Sequence, residues 1–160
     1  MQSNVDVLIV GAGPTGMTLA LELATQGVSF RIINKAAERS PYSRALVVQP
    51  RTFELLNRHG ASNIEDFVAK GKVAGSATIC VSGKKIAKIE GDDAKLSGTK
   101  FPYLMTITQY ETENWLEKTL AKHGVRVEMG VEAKSIIQDA DGVTVTISTK
   151  DGGEDEIRVK

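Results

Sequence analysis

Cysteine is almost absent from this sequence. Cys80 is the single one in 160 residues, so no internal disulfide can form and a cysteine-rich metal centre is excluded. Its neighbours Thr78, Ile79 and Val81 suggest a strand, where a buried, inert thiol is expected. An excess of charge of either sign is absent too. Lys plus Arg number 20 and Asp plus Glu number 20, so no long-range field recruits nucleic acid or an anionic membrane. Any anionic ligand must then be held by local features such as backbone N–H groups. No apolar stretch approaches the ~20 residues that cross a bilayer. The first apolar run, residues 5–10, contains Asp6, lacks a basic lead-in and runs into glycines, which is not the pattern of a signal peptide. A soluble, reducing, cytoplasmic setting is expected, and the length suits one domain with a proper core.

What is present is an alternation of strand and helix signals. Residues 5–10 (Val-Asp-Val-Leu-Ile-Val) are short, β-branched and bounded by Gly11, which predicts a buried strand. Residues 14–26 carry Met17, Leu19, Ala20, Leu21, Leu23 and Ala24 among good helix formers, and Gly27 stands where a helix-terminating glycine belongs. Residues 29–33 read as a second strand. Together they predict a strand–turn–helix–strand unit of about thirty residues, the size of a βαβ unit. Helices are also expected over residues 50–59 and 109–123, each stopping at a glycine, Gly60 and Gly124. His59 and His123 precede those glycines, where a cation meets the negative end of the helix dipole. Between these helices, over about residues 72–108, short β-like runs (77–81, 85–89, 104–108) are separated by Ser82-Gly83, Gly91-Asp92-Asp93 and Ser97-Gly98, a β-rich excursion. Strands are then expected at 125–129, 133–138 and 143–148, and around Ile157-Arg158-Val159.

The chemistry concentrates at Gly11-Ala12-Gly13-Pro14-Thr15-Gly16, a G-x-G-x-x-G string. Such a string is weak evidence alone, but here it follows a strand and opens an amphipathic helix. Gly11 permits the tight turn, Gly13 lets the backbone approach a pyrophosphate, and Gly16 lets helix and strand pack closely. Free N–H groups and the helix dipole supply a positive end for phosphates, and Pro14 loses nothing because an early helical N–H has no partner inside the helix. An acid normally ends the second strand and bonds the ribose hydroxyls. Here Asn34 stands there, followed by Lys35. Asn can accept and donate hydrogen bonds, but without the charge that makes such bonds strong. Arg31 and Lys35 nearby leave a 2′-phosphate, and so NADP, as an open alternative.

Over its whole length the sequence resembles the class A flavoprotein monooxygenases of the phenol-hydroxylase and para-hydroxybenzoate-hydroxylase type. The run from Asp6 to Gly16 is similar to the family's opening. Ser43-Arg44-Ala45-Leu46 with the run from Gln49 to Leu56 resembles its second block. Pro102-Tyr103, Thr108-Gln109 and Glu113 resemble the block leading into its third helix, and residues 139–145 the following hairpin. The resemblance implies an α/β fold: a Rossmann-like FAD-binding sheet of the glutathione-reductase type with an inserted β-rich segment. It implies that Arg44 lies along FAD near the pyrophosphate and ribityl region, that Gln109 hydrogen-bonds the cofactor from the start of its helix, and that Ala133 offers its backbone to the adenine. Asn34 replaces the family's usual Glu or Asp. In the family, NAD(P)H transiently reduces the flavin, which then reacts with molecular oxygen and delivers one oxygen atom to an electron-rich, commonly phenolic, substrate. The protein contributes positioning and exclusion of water.

The family's later Asp-Gly strand and Gly-Asp segment are not matched here, since Asp141-Gly142 and Asp151-Gly152 read as turns between polar residues. The sequence is therefore expected to be the N-terminal part of one FAD-binding domain, with the β excursion inside it and an unpaired edge on its first strand. Alone it is expected to hold FAD poorly and to hydroxylate nothing. No catalytic residue and no metal ligand is assigned. The expected function is FAD binding within a monooxygenase acting on an aromatic or polyketide-like small molecule, with no nucleic-acid partner and no transmembrane segment. Two rivals stay open: an NADP-dependent oxidoreductase of another class, and a non-catalytic nucleotide-binding or interaction fragment.

Overall fold

The computed structural model describes residues 4–40, 47–59, 63–90, 98–149 and 152–160. The chain opens with β1 (Asn4–Val5), β2 (Val7–Val10), α1 (Pro14–Thr25) and β3 (Phe30–Asn34). It continues through β4 (Val47–Val48), α2 (Pro50–Asn57), α3 (Ile64–Val68), β5 (Lys72–Val73), β6 (Ser76–Val81), β7 (Lys84–Glu90) and β8 (Met105–Thr106). Then come α4 (Gln109–Lys122), β9 (Glu128–Met129), β10 (Ala133–Asp139), β11 (Gly142–Ser148) and β12 (Glu154–Val159). The result is a mixed α/β chain with several sheets, in two compact units: Met1–Pro41 with Glu113–Lys160, and Tyr42–Thr112. Among the described residues no helix is long and apolar enough to cross a membrane.

The first unit holds two sheets. One is parallel, in the order β2-β3-β9, with Val10 opposite Ile33 and Ile33 opposite Glu128. The other runs β1-β12-β11-β10, antiparallel except where β1 joins β12. The first apolar run is therefore not one strand but two, and Asp6 is the break. The Asp6 and Val7 N–H groups both donate to the Ser29 carbonyl, at 3.0 and 3.1 Å. Two successive donors on one acceptor bend the chain as a bulge does, so Val5 pairs with Val159 while residues from Val7 onward pair with β3. The two sheets share a core: Ile33 packs with Val5, Val131, Val145, Ile147 and Ile157. Helix α1 buries Met17, Ala20 and Leu21, and α4 buries Trp115, Leu116 and Leu120. Across β3 and β9, Arg31 donates from Nε and Nη2 to the two carboxylate oxygens of Glu128 at 2.8 and 2.7 Å. That two-pronged geometry suits a guanidinium only 7% exposed.

The second unit packs α2 and α3 through Phe53, Leu56, Ile64 and Phe67, with Phe101 also buried. The Phe53 ring lies 5.5 Å from both the Phe67 and Phe101 rings. Its strands form the antiparallel set β4-β8-β5 and the ribbon β6-β7. The ribbon turns at Ser82 and Gly83, whose φ values of 50° and 76° are the pair of left-handed residues a two-residue hairpin needs. Cys80 departs from the buried thiol expected: it is exposed. Strand β6 pairs with β7 alone among the described strands, and every one of its residues is exposed. Its apolar pattern therefore does not translate into burial within this unit.

Candidate functional site

Strand β2 carries the chain to Gly11, whose N–H donates to the Ile33 carbonyl at 2.8 Å. Gly11 then takes φ +107°, a conformation that a side chain disfavours, and the chain leaves the sheet. Gly13 caps α1 in an extended conformation and Pro14 opens the helix, while no side chain caps that terminus and no acid stands in its first turn. The positive end of the helix is thus left for an anion. The three glycines serve different ends. A Cβ on Gly16 would collide with the Gly11 carbonyl oxygen and come within 3.2 Å of Ile9 Cγ2, whereas a Cβ on Gly11 or Gly13 meets nothing within 4 Å. Gly16 is a packing glycine, Gly11 a turning glycine, and Gly13 borders open space.

Beside this loop lies a cleft of about 380 Å³ lined by Val10, Gly11, Asn34, Lys35, Val131, Glu132 and Ala133. The structure thus brings together Gly11, Asn34, Lys35 and Ala133, and Ala12 joins them by donating its N–H to Asn34 Oδ1 at 3.3 Å. Asn34 Nδ2 donates to the Ala36 carbonyl at 3.4 Å. Gly13 follows on the same loop as the N-cap of α1, and Pro14, Thr15 and Gly16 form the first turn of that helix, with Thr15 exposed. Gln109 is the first residue of α4 and belongs to the second unit. Arg44 lies outside the described residues.

Three lining residues were not singled out from sequence: Val10, Val131 and Glu132. The segment that carries Val131 and Glu132 is shaped by Gly130, at φ +74°. Its N–H donates to the Ala36 carbonyl and that of Val131 to the Asn34 carbonyl, both at 3.0 Å. A glycine between two short apolar segments was the available signal. Glu132 brings the cleft a negative charge. Its carboxyl is held below the usual carboxylate range by a hydrogen bond from Lys134, with the charges of Lys134 and of Lys35 adding to it. The Lys134 Nζ to Glu132 Oε2 distance is 2.6 Å.

The sequence matches the FAD binding domain family over residues 4–160. It is 34% identical over 153 residues to 6-methylpretetramide 4-monooxygenase of Streptomyces rimosus, which covers 96% of this chain and 27% of that protein. The fold matches p-nitrophenol 4-monooxygenase of Pseudomonas putida with a TM-score of 0.84 at 27% identity, over 100% of this chain and 40% of that one. It matches aklavinone-11 hydroxylase, solved with FAD and aklavinone, with a TM-score of 0.78 at 30% identity, over 97% of this chain and 31% of that one. These relatives support the flavin reading over both rivals, although the chain spans little more than a quarter of the first relative's length. The chain belongs to the FAD binding domain family of the class A flavoprotein monooxygenases.

Proposed function

We propose that the cleft of the first unit receives the ADP half of FAD, and that the complete protein uses the flavin to hydroxylate an aromatic or polyketide-like substrate. The observation that carries this is the join of β2, the glycine loop and the uncapped α1. Gly13 borders open space at a positive helix end, which is the shape and charge a pyrophosphate requires. The parallel β2-α1-β3 arrangement supports a Rossmann-like sheet of the glutathione-reductase type, with residues 1–160 acting as part of one FAD-binding domain.

Gly11, Ala12, Gly13, Pro14, Thr15 and Gly16 would border the pyrophosphate, with N–H donors coming from Gly13, Thr15 and Gly16, since Pro14 carries none and those of Gly11 and Ala12 are engaged by Ile33 and Asn34. Asn34 and Lys35 would border the ribose, and the Ala133 backbone the adenine. Arg44 and Gln109 are assigned to the cofactor through the family resemblance. When bound, the flavin supplies the redox chemistry, drawing electrons from NAD(P)H and one oxygen atom from molecular oxygen. This chain's part is to bind and orient it. A cytoplasmic setting belongs to the same proposal, because the reaction draws on the NAD(P)H pool. With formal charges of 20 and 20 in balance, small molecules and not nucleic acid are the proposed partners.

The test is turnover by the complete flavoprotein with phenols and polycyclic polyketides. Substrate-stimulated NAD(P)H and oxygen consumption, with a product heavier by one oxygen, is the expected result. Nicotinamide oxidation in a preparation without flavin would overturn it.

A further inference from the structure

The ribose contact needs a strong acceptor, and Asn34 is poorly placed to be it. Its carboxamide is turned onto the backbone at both ends, taking the Ala12 N–H at Oδ1 and giving Nδ2 to the Ala36 carbonyl. It acts as a tie between the glycine loop and the end of β3. Among the described residues, Glu132 is the single acidic one lining the cleft. Its main chain is fixed from both sides, the N–H donating to Ser148 Oγ at 3.1 Å and the carbonyl accepting from the Ser148 N–H at 2.8 Å. Lys134 engages Oε2. A carboxylate has about four acceptor sites, so this ion pair does not exhaust it, and the side chain remains 45% exposed. Lys35, another lining residue, is near enough for its charge to act on that carboxylate.

Resting on the flavin reading, we infer that Glu132 supplies the charged acceptor for the vicinal ribose hydroxyls of the adenosine, the task given up at Asn34. The acid is moved from the end of β3 to the segment after β9 that lines the same cleft. The carboxylate accepts hydrogen bonds from the diol while keeping its Lys134 partner.

The experiment is calorimetric titration of the complete apoprotein with ADP and with 2′,3′-dideoxy-ADP, alongside FAD. The parent should prefer ADP over the dideoxy analogue by about tenfold, as a charged acceptor implies. Glu132→Gln should lose most of that preference, and Asn34→Glu added to it should restore it. Lys134→Met breaks the ion pair but leaves the carboxylate, and should keep the preference, which separates diol binding from a merely structural role. Circular dichroism verifies that each variant is folded. Undiminished preference in Glu132→Gln, or none in the parent, overturns the assignment while ADP and FAD binding leave the flavin reading intact. Binding of neither nucleotide by the parent overturns both.

Discussion

Gly16 and Gly13 show how little of a motif's meaning lies in its letters. At Gly16 a methyl group would strike the Gly11 carbonyl oxygen and crowd Ile9 Cγ2 at 3.2 Å, so Gly16→Ala must displace backbone. Overpacking of this kind costs about 1–3 kcal/mol, and Gly16→Ala should lower unfolding stability by that much in denaturant titration. An unchanged midpoint would mean the helix is free to shift. At Asn34, replacement by Asp keeps an acceptor for the Ala12 N–H, and because a carboxylate cannot donate to the Ala36 carbonyl its second oxygen is released toward the ribose, where it adds to Glu132. Part of the gain goes to pairing with Lys35. Asn34→Asp is expected to tighten FAD by about threefold to tenfold and not to improve NADP binding. Titration of the variant with both cofactors checks this, and weaker FAD binding contradicts it. The glycine roles and the anomaly at Asn34 were legible in sequence because they depend on the chain's own next few residues. The place of Glu132 was not, since it reaches the cleft through backbone bonds to Ser148 and a wall that forms only when β9 meets β3.

Among the elements, the antiparallel set β10-β11-β12 is fastened at its turn end. Arg158 donates to both carboxylate oxygens of Asp139 at 2.9 and 2.6 Å, and to Thr144 Oγ1 at 2.8 Å. The hydrogen bond from Arg158, and then that from the Asp141 N–H, holds the Asp139 carboxyl down at about 2 against an ordinary 3.8. A folded-state value below the unfolded one means the pair's contribution is complete above about pH 4. It fades as pH falls through 2. Melting temperature should therefore drop more steeply between pH 4 and 2 in the parent than in Asp139→Asn, and parallel acid limbs would contradict the pairing. This hairpin could be read from sequence, its turn marked by Asp139 to Gly142 and its strands by β-branched runs. The break at Asp6 could not, because it is decided by Ser29 on another strand offering one carbonyl to two donors. Helix α3 went unread because five residues give no periodicity; its local marks are Asn63 Oδ1 accepting from the Glu65 N–H and the acids Glu65 and Asp66 in its first turn. Cys80 was misread because apolar alternation announces a strand and not what covers it.

For the molecule as a whole, with its charges balanced, recognition of an anionic cofactor must be local, and the place proposed for it is one loop and one cleft. The α/β character followed from the order of strand and helix signals, and the cofactor class from the glycine loop together with the family's blocks. The division into two units was not visible, since the first is assembled from both ends of the chain. Whether the glycine loop faces the pyrophosphate of FAD is decided best at Gly13, because fold and binding separate there. The residue is extended, at φ −77° and ψ −177°, a conformation valine favours, and a Cβ meets nothing within 4 Å. Gly13→Val should therefore melt like the parent while the branched side chain fills the phosphate's approach. Titration of FAD by flavin fluorescence into the complete apoprotein, parent and variant, is the measurement. A loss of at least about a hundredfold, ~2.7 kcal/mol, at unchanged melting temperature is the expected result, and equal affinity in the two proteins would contradict the account.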